Sequence, residues 1–176
     1  MEFHLSDYDG FTLFNFGEFY PVIKTPQKMI KSLVYICSTT DYRYLNNEPD
    51  QKTVLDEFWF DKTEDLERSR ELIRIYYNRA FFANLYFTSY KEGWKTDRGM
   101  IYIVYGPPNI VYKTDIDEKW IYLGKRKTAI MEYTFLKEEN NPFTNDNYQL
   151  NRGVGAATYW GRAMEAWRNG ETFVLN

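Results

Sequence analysis

The sequence predicts an α+β fold: a long central helix packed on an antiparallel β-meander of three to five strands, with shorter helices flanking it. Three observations carry this expectation. Apolar residues recur with a helical period between about residues 63 and 91. After Gly99 the pattern changes to period two, through Met100–Tyr105, Ile110–Lys113, Glu118–Leu123 and Thr128–Leu136. The connections Gly106-Pro-Pro-Asn109, Thr114-Asp-Ile-Asp117 and Gly124-Lys-Arg-Lys127 are short and rich in turn formers.

Taken in order, residues 10–38 read as short strands. Phe11, Leu13 and Phe16 partly alternate, Tyr20–Ile23 is a second extended piece, and Ser32–Cys37 is a compact apolar run suited to a buried strand. Between them, Thr25 and Pro26 form an N-cap and first-turn pair that opens one helical turn through Met29 and Ile30. Asp50 is placed to cap a helix carrying Val54, Leu55, Phe58 and Trp59. Asp61-Lys-Thr-Glu64 is the capping signal for the long helix, predicted over about Thr63 to Lys91. One stripe of that helix holds Leu66, Ile73, Tyr76, Tyr77, Ala80, Asn84 and Phe87, and a second holds Leu72, Ile75, Phe82 and Tyr86. Arg68, Arg70, Arg74 and Arg79 fall on the remaining face, where solvation is the ordinary role of arginine. Beyond the meander, residues 137–155 form a polar loop with a short strand near Tyr148–Leu150. Ala156–Arg168 closes the chain as an amphipathic helix stopped by Gly170. The chain divides at about residue 48 into a strand-rich N-terminal segment, 1–48, and an α+β domain, 49–176.

Composition narrows the function classes. The 176 residues carry 22 basic and 25 acidic side chains, a net charge of −3 without a basic stripe, which argues against a nucleic-acid partner. Aromatics make up 19% of the chain, which excludes a disordered reading. Tyrosine leads with 16 copies; tyrosine at a surface suits a protein interface or a sugar-binding face, whereas in a core it takes the place of leucine. The single Cys37 allows no internal disulfide, and with the single His4 it supplies neither a Cys-His nucleophile nor a histidine-based metal site. No metal set, no cofactor and no transmembrane segment are expected. The first residues lack a basic and apolar leader pattern, and Phe11–Phe16 reads like the interior of a sheet, so the chain is expected to be a fragment or to have lost its leader.

The densest signal is Gly93-Trp94-Lys95-Thr96-Asp97-Arg98-Gly99. Gly93 is expected just past the end of the long helix in a left-handed conformation, with Trp94 folding back on Phe87 or Tyr90. Thr96 and Asp97 would fix a turn through backbone amides, and Gly99 would allow a sharp bend into the first strand. Arg98 pairs with Asp97 or reaches an acid elsewhere. Gly106, Pro107 and Pro108 end the ladder and form a rigid corner. Candidate binding residues are Trp94, Lys95, Asp97, Arg98, Trp120 and Tyr122, while Gly93, Thr96, Gly99, Gly106, Pro107 and Pro108 are structural. No catalytic set is assigned.

Weaker patterns fall away on inspection. Asp115-Ile-Asp117-Glu118 opens like a calcium loop but has Trp120 and Arg126 where glycine and glutamate belong. Gly153-Val-Gly155 lacks the third glycine and the following unit of a dinucleotide loop. Lys125-Arg126-Lys127 is a basic hairpin tip, best read as a solvated turn.

The helix end at Phe58-Trp59, the stretch Tyr77–Asn84, the run Gly93–Asn109 and Trp120-Ile-Tyr122 together resemble the GWxTD domain over roughly residues 50–170. That family is seen mostly in envelope proteins of Bacteroidota-type bacteria, with no established activity. The resemblance implies a periplasmic or outer-membrane-associated location, often as a lipoprotein or behind an N-terminal β-sandwich whose end residues 1–48 could supply. Here no signal peptide is present, and Cys37 is internal and lacks a lipobox. The turn at Gly106, followed by Trp120-x-Tyr122 on the next strand, is also similar, at the level of fold, to the small helix-plus-meander lipoprotein of the outer-membrane barrel assembly machinery.

These readings leave three functions open. The leading one is a non-enzymatic interaction or scaffold module of the envelope, binding a protein partner or a glycan. The second is a hydrolase of an envelope polymer that uses Asp97 and Glu118 as acid and base. The third is a small-ligand domain with an aromatic pocket near Trp94 and Trp120.

Overall fold

Caps written into the chain start nearly every helix. The computed structural model describes residues 12–152 and 156–173. Thr25 caps α1 (Pro26–Ser32) with Pro26 in the first turn, as expected. Ser38 caps α2 (Thr39–Asn47) through Asp41 N–H. Asp50 caps α3 (Gln51–Phe60) through Thr53 N–H. The long helix α4 (Leu66–Phe87) is capped by Asp65 and ends at Thr88, shorter at both ends than its period suggested. A 3-10 turn, Gly93–Lys95, leads to α5 (Asp97–Tyr105). Four strands follow: β1 (Ile110–Lys113), β2 (Asp117–Leu123), β3 (Ala129–Lys137) and β4 (Tyr148–Leu150). α6 (Ala156–Arg168) comes last, and Gly170 beyond it adopts φ +72°.

The result is an α+β fold built on one antiparallel sheet in the order β1-β2-β3-β4. Trp120 faces Tyr133 across β2 and β3, and Val111 faces Trp120 across β1 and β2, so these three share one side. Along β2, Glu118, Trp120 and Tyr122 are buried while Asp117, Lys119, Ile121 and Leu123 are half-buried, the alternation of a sheet with one covered face. Helices α4, α5 and α6 cover it. Phe87 of α4 packs on Trp120 at 5.3 Å, Tyr105 of α5 on Tyr133 at 5.4 Å, and Trp167 of α6 on Tyr76 of α4 at 5.4 Å. Trp59 of α3 continues the core onto Tyr76 at 5.6 Å. About half of the aromatics therefore lie in or against the core, which is held together largely by edge-on and tilted ring contacts.

Two expected strands are helical instead. Met100–Tyr105 is the body of α5, not the first strand of the meander. Its reach is buried on nearly every side, so neither period shows in the sequence and β-branched content misleads. The local cap decides: Thr96 Oγ1 accepts from Gly99 N–H at 3.0 Å, with Asp97 in the first turn. Ser32–Cys37 is the end of α1 followed by a 3-10 turn at Leu33–Tyr35. Ile30, Leu33 and Ile36 are buried while Val34 is exposed, which is helical spacing. The other short strands foreseen between residues 12 and 25 are absent from that stretch. Phe11, His4 and Gly153–Gly155 lie outside the described residues.

Candidate functional site

The run Gly93–Gly99 sits where α4, α5 and the N-terminal segment meet. Gly93 does not take the left-handed conformation expected of it. A Cβ there would fall well inside van der Waals contact with the Ala83 carbonyl oxygen, and one on Gly99 would strike the Gly93 carbonyl oxygen. Both glycines serve close backbone approach, stacking α5 on the 3-10 turn and that turn on α4. Thr96 joins the same stack, donating to Gly93 O at 2.8 Å while capping α5. Gly99 is thus the third residue of a helix rather than a bend into a strand.

Trp94 turns away from Phe87 and Tyr90. Its backbone N–H donates to Asn84 Oδ1 at 3.0 Å, its carbonyl accepts from Tyr35 Oη at 2.8 Å, and its ring stands edge-on to Tyr35 at 6.3 Å. Asn84 is the anchor that the sequence hid. It occupies a buried position on an otherwise apolar stripe of α4 and also donates through Nδ2 to Pro21 O at 2.8 Å. A polar residue on a core stripe is the signal that could have found it. Lys95 is exposed and pairs with Glu92, its ammonium 5.2 Å from the Trp94 ring.

Asp97 and Arg98 do not pair with each other. Asp97 Oδ2 accepts from the backbone N–H of Leu150 at 2.7 Å. In β4 that N–H points away from β3, so the motif carboxylate closes the outer edge of the sheet. Arg98, 4% exposed, reaches into the space between α5, β2 and the β3–β4 loop. Nη1 donates to Glu118 Oε2 at 3.2 Å, and Nη2 donates to Asp146 O at 2.9 Å and Asp146 Oδ2 at 3.1 Å. The guanidinium lies 4.2 Å from the Tyr148 ring centre and 5.3 Å from that of Phe87. Glu118, 5% exposed, accepts from Trp120 Nε1 through Oε1 at 2.6 Å and has Lys113 Nζ 3.7 Å from Oε2. The acidic partner foreseen as one alternative for Arg98 is therefore Glu118 together with Asp146. Trp120 and Tyr122 lie buried on the covered face, and Tyr122 Oη donates to Gly106 O at 3.0 Å.

Gly106 takes φ +84° at the end of α5, as a helix-terminating glycine must. Below it sits Arg79, expected on a solvated face but half-buried. Its Nη1 donates to Ile103 O and Val104 O, both at 3.1 Å, so its charge satisfies the carbonyl end of α5. Pro107 is exposed and Pro108 half-buried, beside Asn109 whose Oδ1 accepts from Leu123 N–H at 2.7 Å.

The remaining accessible chemistry lies on the surface. β1 is an edge strand with all four residues exposed. Thr114 N–H donates to Asp117 O at 2.9 Å, so by alternation Ile110 and Tyr112 turn their N–H and C=O groups toward β2, and Val111 and Lys113 turn theirs outward. Val111 projects onto the core side next to Trp120, yet it is 49% exposed. Tyr102 stands edge-on to Trp120 at 6.4 Å and to Phe87 at 5.6 Å. On the next turn of α4, Phe82 and Tyr86 stack at 5.7 Å and are both exposed. Accessible apolar surface is thus offered by Phe82 and Tyr86 on α4, by half-buried Tyr102 on α5 and by Val111 on β1. None of the helices among the described residues is long and apolar enough to cross a membrane.

A family model described as the GWxTD domain matches residues 3–169, nearly the whole chain. No curated protein and no solved structure matches it.

Proposed function

The chain belongs to the GWxTD domain family, and on that footing we propose that it is a non-enzymatic interaction module of the bacterial cell envelope, taking an extended segment of a partner protein along the open edge of β1. The envelope location rests on the family resemblance. The observation that carries the reading is a contrast between the two edges of one sheet. At β4 the outward N–H of Leu150 is taken by Asp97. At β1 the outward groups of Val111 and Lys113 have no backbone partner among the described residues, and all four residues of the strand are exposed. An unpaired edge is a ready template for strand addition, with main-chain bonds giving affinity and side-chain pockets giving specificity.

The chemistry of the occupant follows from the accessible side chains. Alternate apolar side chains of the added strand would meet Val111, Tyr102 and Tyr86, rigid surfaces of the kind that anchor interfaces. A carboxylate on the added strand would meet Lys113, whose side chain is 56% exposed. Motif side chains support the reading indirectly. Asp97, Arg98 and Glu118 all make hydrogen bonds within the fold itself.

Selection from a displayed library of roughly ten-residue peptides tests it, a length that spans the edge strand with flanks. Enriched sequences should alternate apolar residues and carry an acid. Val111→Pro removes only an outward N–H that β2 does not use, so the variant should fold and lose the peptides. Phe82→Ser and Tyr86→Ser should weaken them. Equal binding to Val111→Pro would overturn the proposal.

A further inference from the structure

On the opposite side of the motif, three lysines converge on a hollow of about 300 Å³ lined by Asn15, Phe16, Lys28, Lys31, Glu92, Trp94 and Lys95. We propose that this hollow binds an acidic sugar unit, a pyranose bearing a carboxylate.

Charge is the first argument. The chain as a whole carries a net −3, yet this lining carries three cations against one carboxylate. That carboxylate, Glu92, is already paired with Lys95. Lys28 Nζ donates to Phe16 O at 2.7 Å, a neutral acceptor, and has no ion pair among the described residues. Lys31 is exposed and has no ion pair among the described residues. Like charges gathered in a concave wall repel one another and focus a positive potential into it, and an anion relieves both.

Shape and polarity are the second argument. Half-buried Phe16 and the small accessible part of Trp94, 8% exposed, supply apolar surface at the hollow, and Asn15 and Glu92 supply neutral and acidic hydrogen-bonding groups. A bare inorganic anion would leave the rings unused, and a neutral sugar would leave the lysines unused. A pyranose with a carboxylate sets its C–H face against Phe16 and the accessible part of Trp94, its charge on the lysines and a hydroxyl on Glu92. The walls come from α1, the turn at Gly93–Lys95 and the segment at residues 15–16, so the motif residues Trp94 and Lys95 gain a role that their packing alone does not give.

The test is ligand-observed NMR titration of the full chain with methyl β-D-glucuronide, with methyl β-D-glucoside and inorganic phosphate titrated in parallel. Glucuronide should bind at least tenfold more tightly than either control. Lys31→Glu, an exposed change that leaves the fold intact, should weaken it at least tenfold, and Lys95→Gln should weaken it severalfold. Equal binding of the glucoside would overturn the role of charge. Equal binding of phosphate would overturn the sugar assignment, and an unchanged Lys31→Glu variant would overturn the location. Val111→Pro should leave glucuronide binding unaltered, so failure here and failure of strand addition at β1 are separately visible.

Discussion

Replacing Arg98 by methionine removes a charge from one of the most enclosed polar clusters of the fold. In the native protein Arg98 and Glu118 are 4% and 5% exposed and joined at 3.2 Å. Without the guanidinium, Glu118 keeps the Trp120 indole N–H on one oxygen and only Lys113, 3.7 Å away, near the other. Breaking a buried pair by removing one partner costs about 3–5 kcal/mol, because the charge left behind is uncompensated. Lys113 softens that, which places Arg98→Met near the lower end, about 3 kcal/mol. The lost bond to the Asp146 carboxylate adds little, since that group is 50% exposed, while the bond to the Asp146 carbonyl is lost as well. For a chain of this length, a loss of that size lowers Tm by roughly 6–12 °C. Glu118→Gln should cost less, about 1–3 kcal/mol, since Arg98 keeps Asp146 and the Tyr148 face while the amide oxygen can still accept from Trp120. The double variant should lose less than the sum of the singles by about 1–3 kcal/mol. Urea denaturation of the four proteins measures all of this. Single losses under about 0.5 kcal/mol that simply add would refute the assignment of the pair as a structural keystone.

The glycines give a paired contrast: Gly93→Ala should destabilise by roughly 1–3 kcal/mol or more through its clash with the Ala83 carbonyl. Gly161→Ala, with nothing near its Cβ in α6, should stabilise by about 0.5–1 kcal/mol, both read from urea midpoints. Asp97→Ala frees the Leu150 amide, so hydrogen exchange there should accelerate while the amides of β2 stay protected. Burial pushes the Cys37 thiol up to about 12, so at pH 8 only about one molecule in ten thousand carries a thiolate. Alkylation by iodoacetamide should be far slower in the native protein than in denaturant. Burial likewise raises Tyr133 from 10.0 to about 12. In both groups the folded state holds its proton more tightly than the unfolded one. Stability should be full below about pH 9 and fall as pH rises toward 12, seen as a declining Tm across that window.

What could be read in advance was whatever is encoded locally. Ile110–Lys113 and Tyr148–Leu150 were legible as strands because turn residues bound them, and Ala156–Arg168 as a helix because its apolar face and Gly170 agree. Asp50 and Thr25 announced their helices through cap chemistry. Met100–Tyr105 was not legible, because a short helix buried all round has no polar face to give its period away. Nor was the true use of Gly93, since a glycine that lets two backbones touch looks in sequence like one that turns a chain. The partners of Arg98 lie 20 and 48 residues away, and two of the three lysines at the basic hollow, Lys28 and Lys31, come from α1. Such meetings are made by packing, and no spacing rule reaches them.

The proposed role of β1 is tested most directly by residue-resolved hydrogen exchange with a library-selected peptide bound. Val111 and Lys113 should slow markedly on binding, because their N–H groups face the open edge, while Ile110 and Tyr112, already bonded toward β2, should change little. Protection that gathers elsewhere, with Val111 and Lys113 exchanging as in the free protein, would contradict strand addition at this edge.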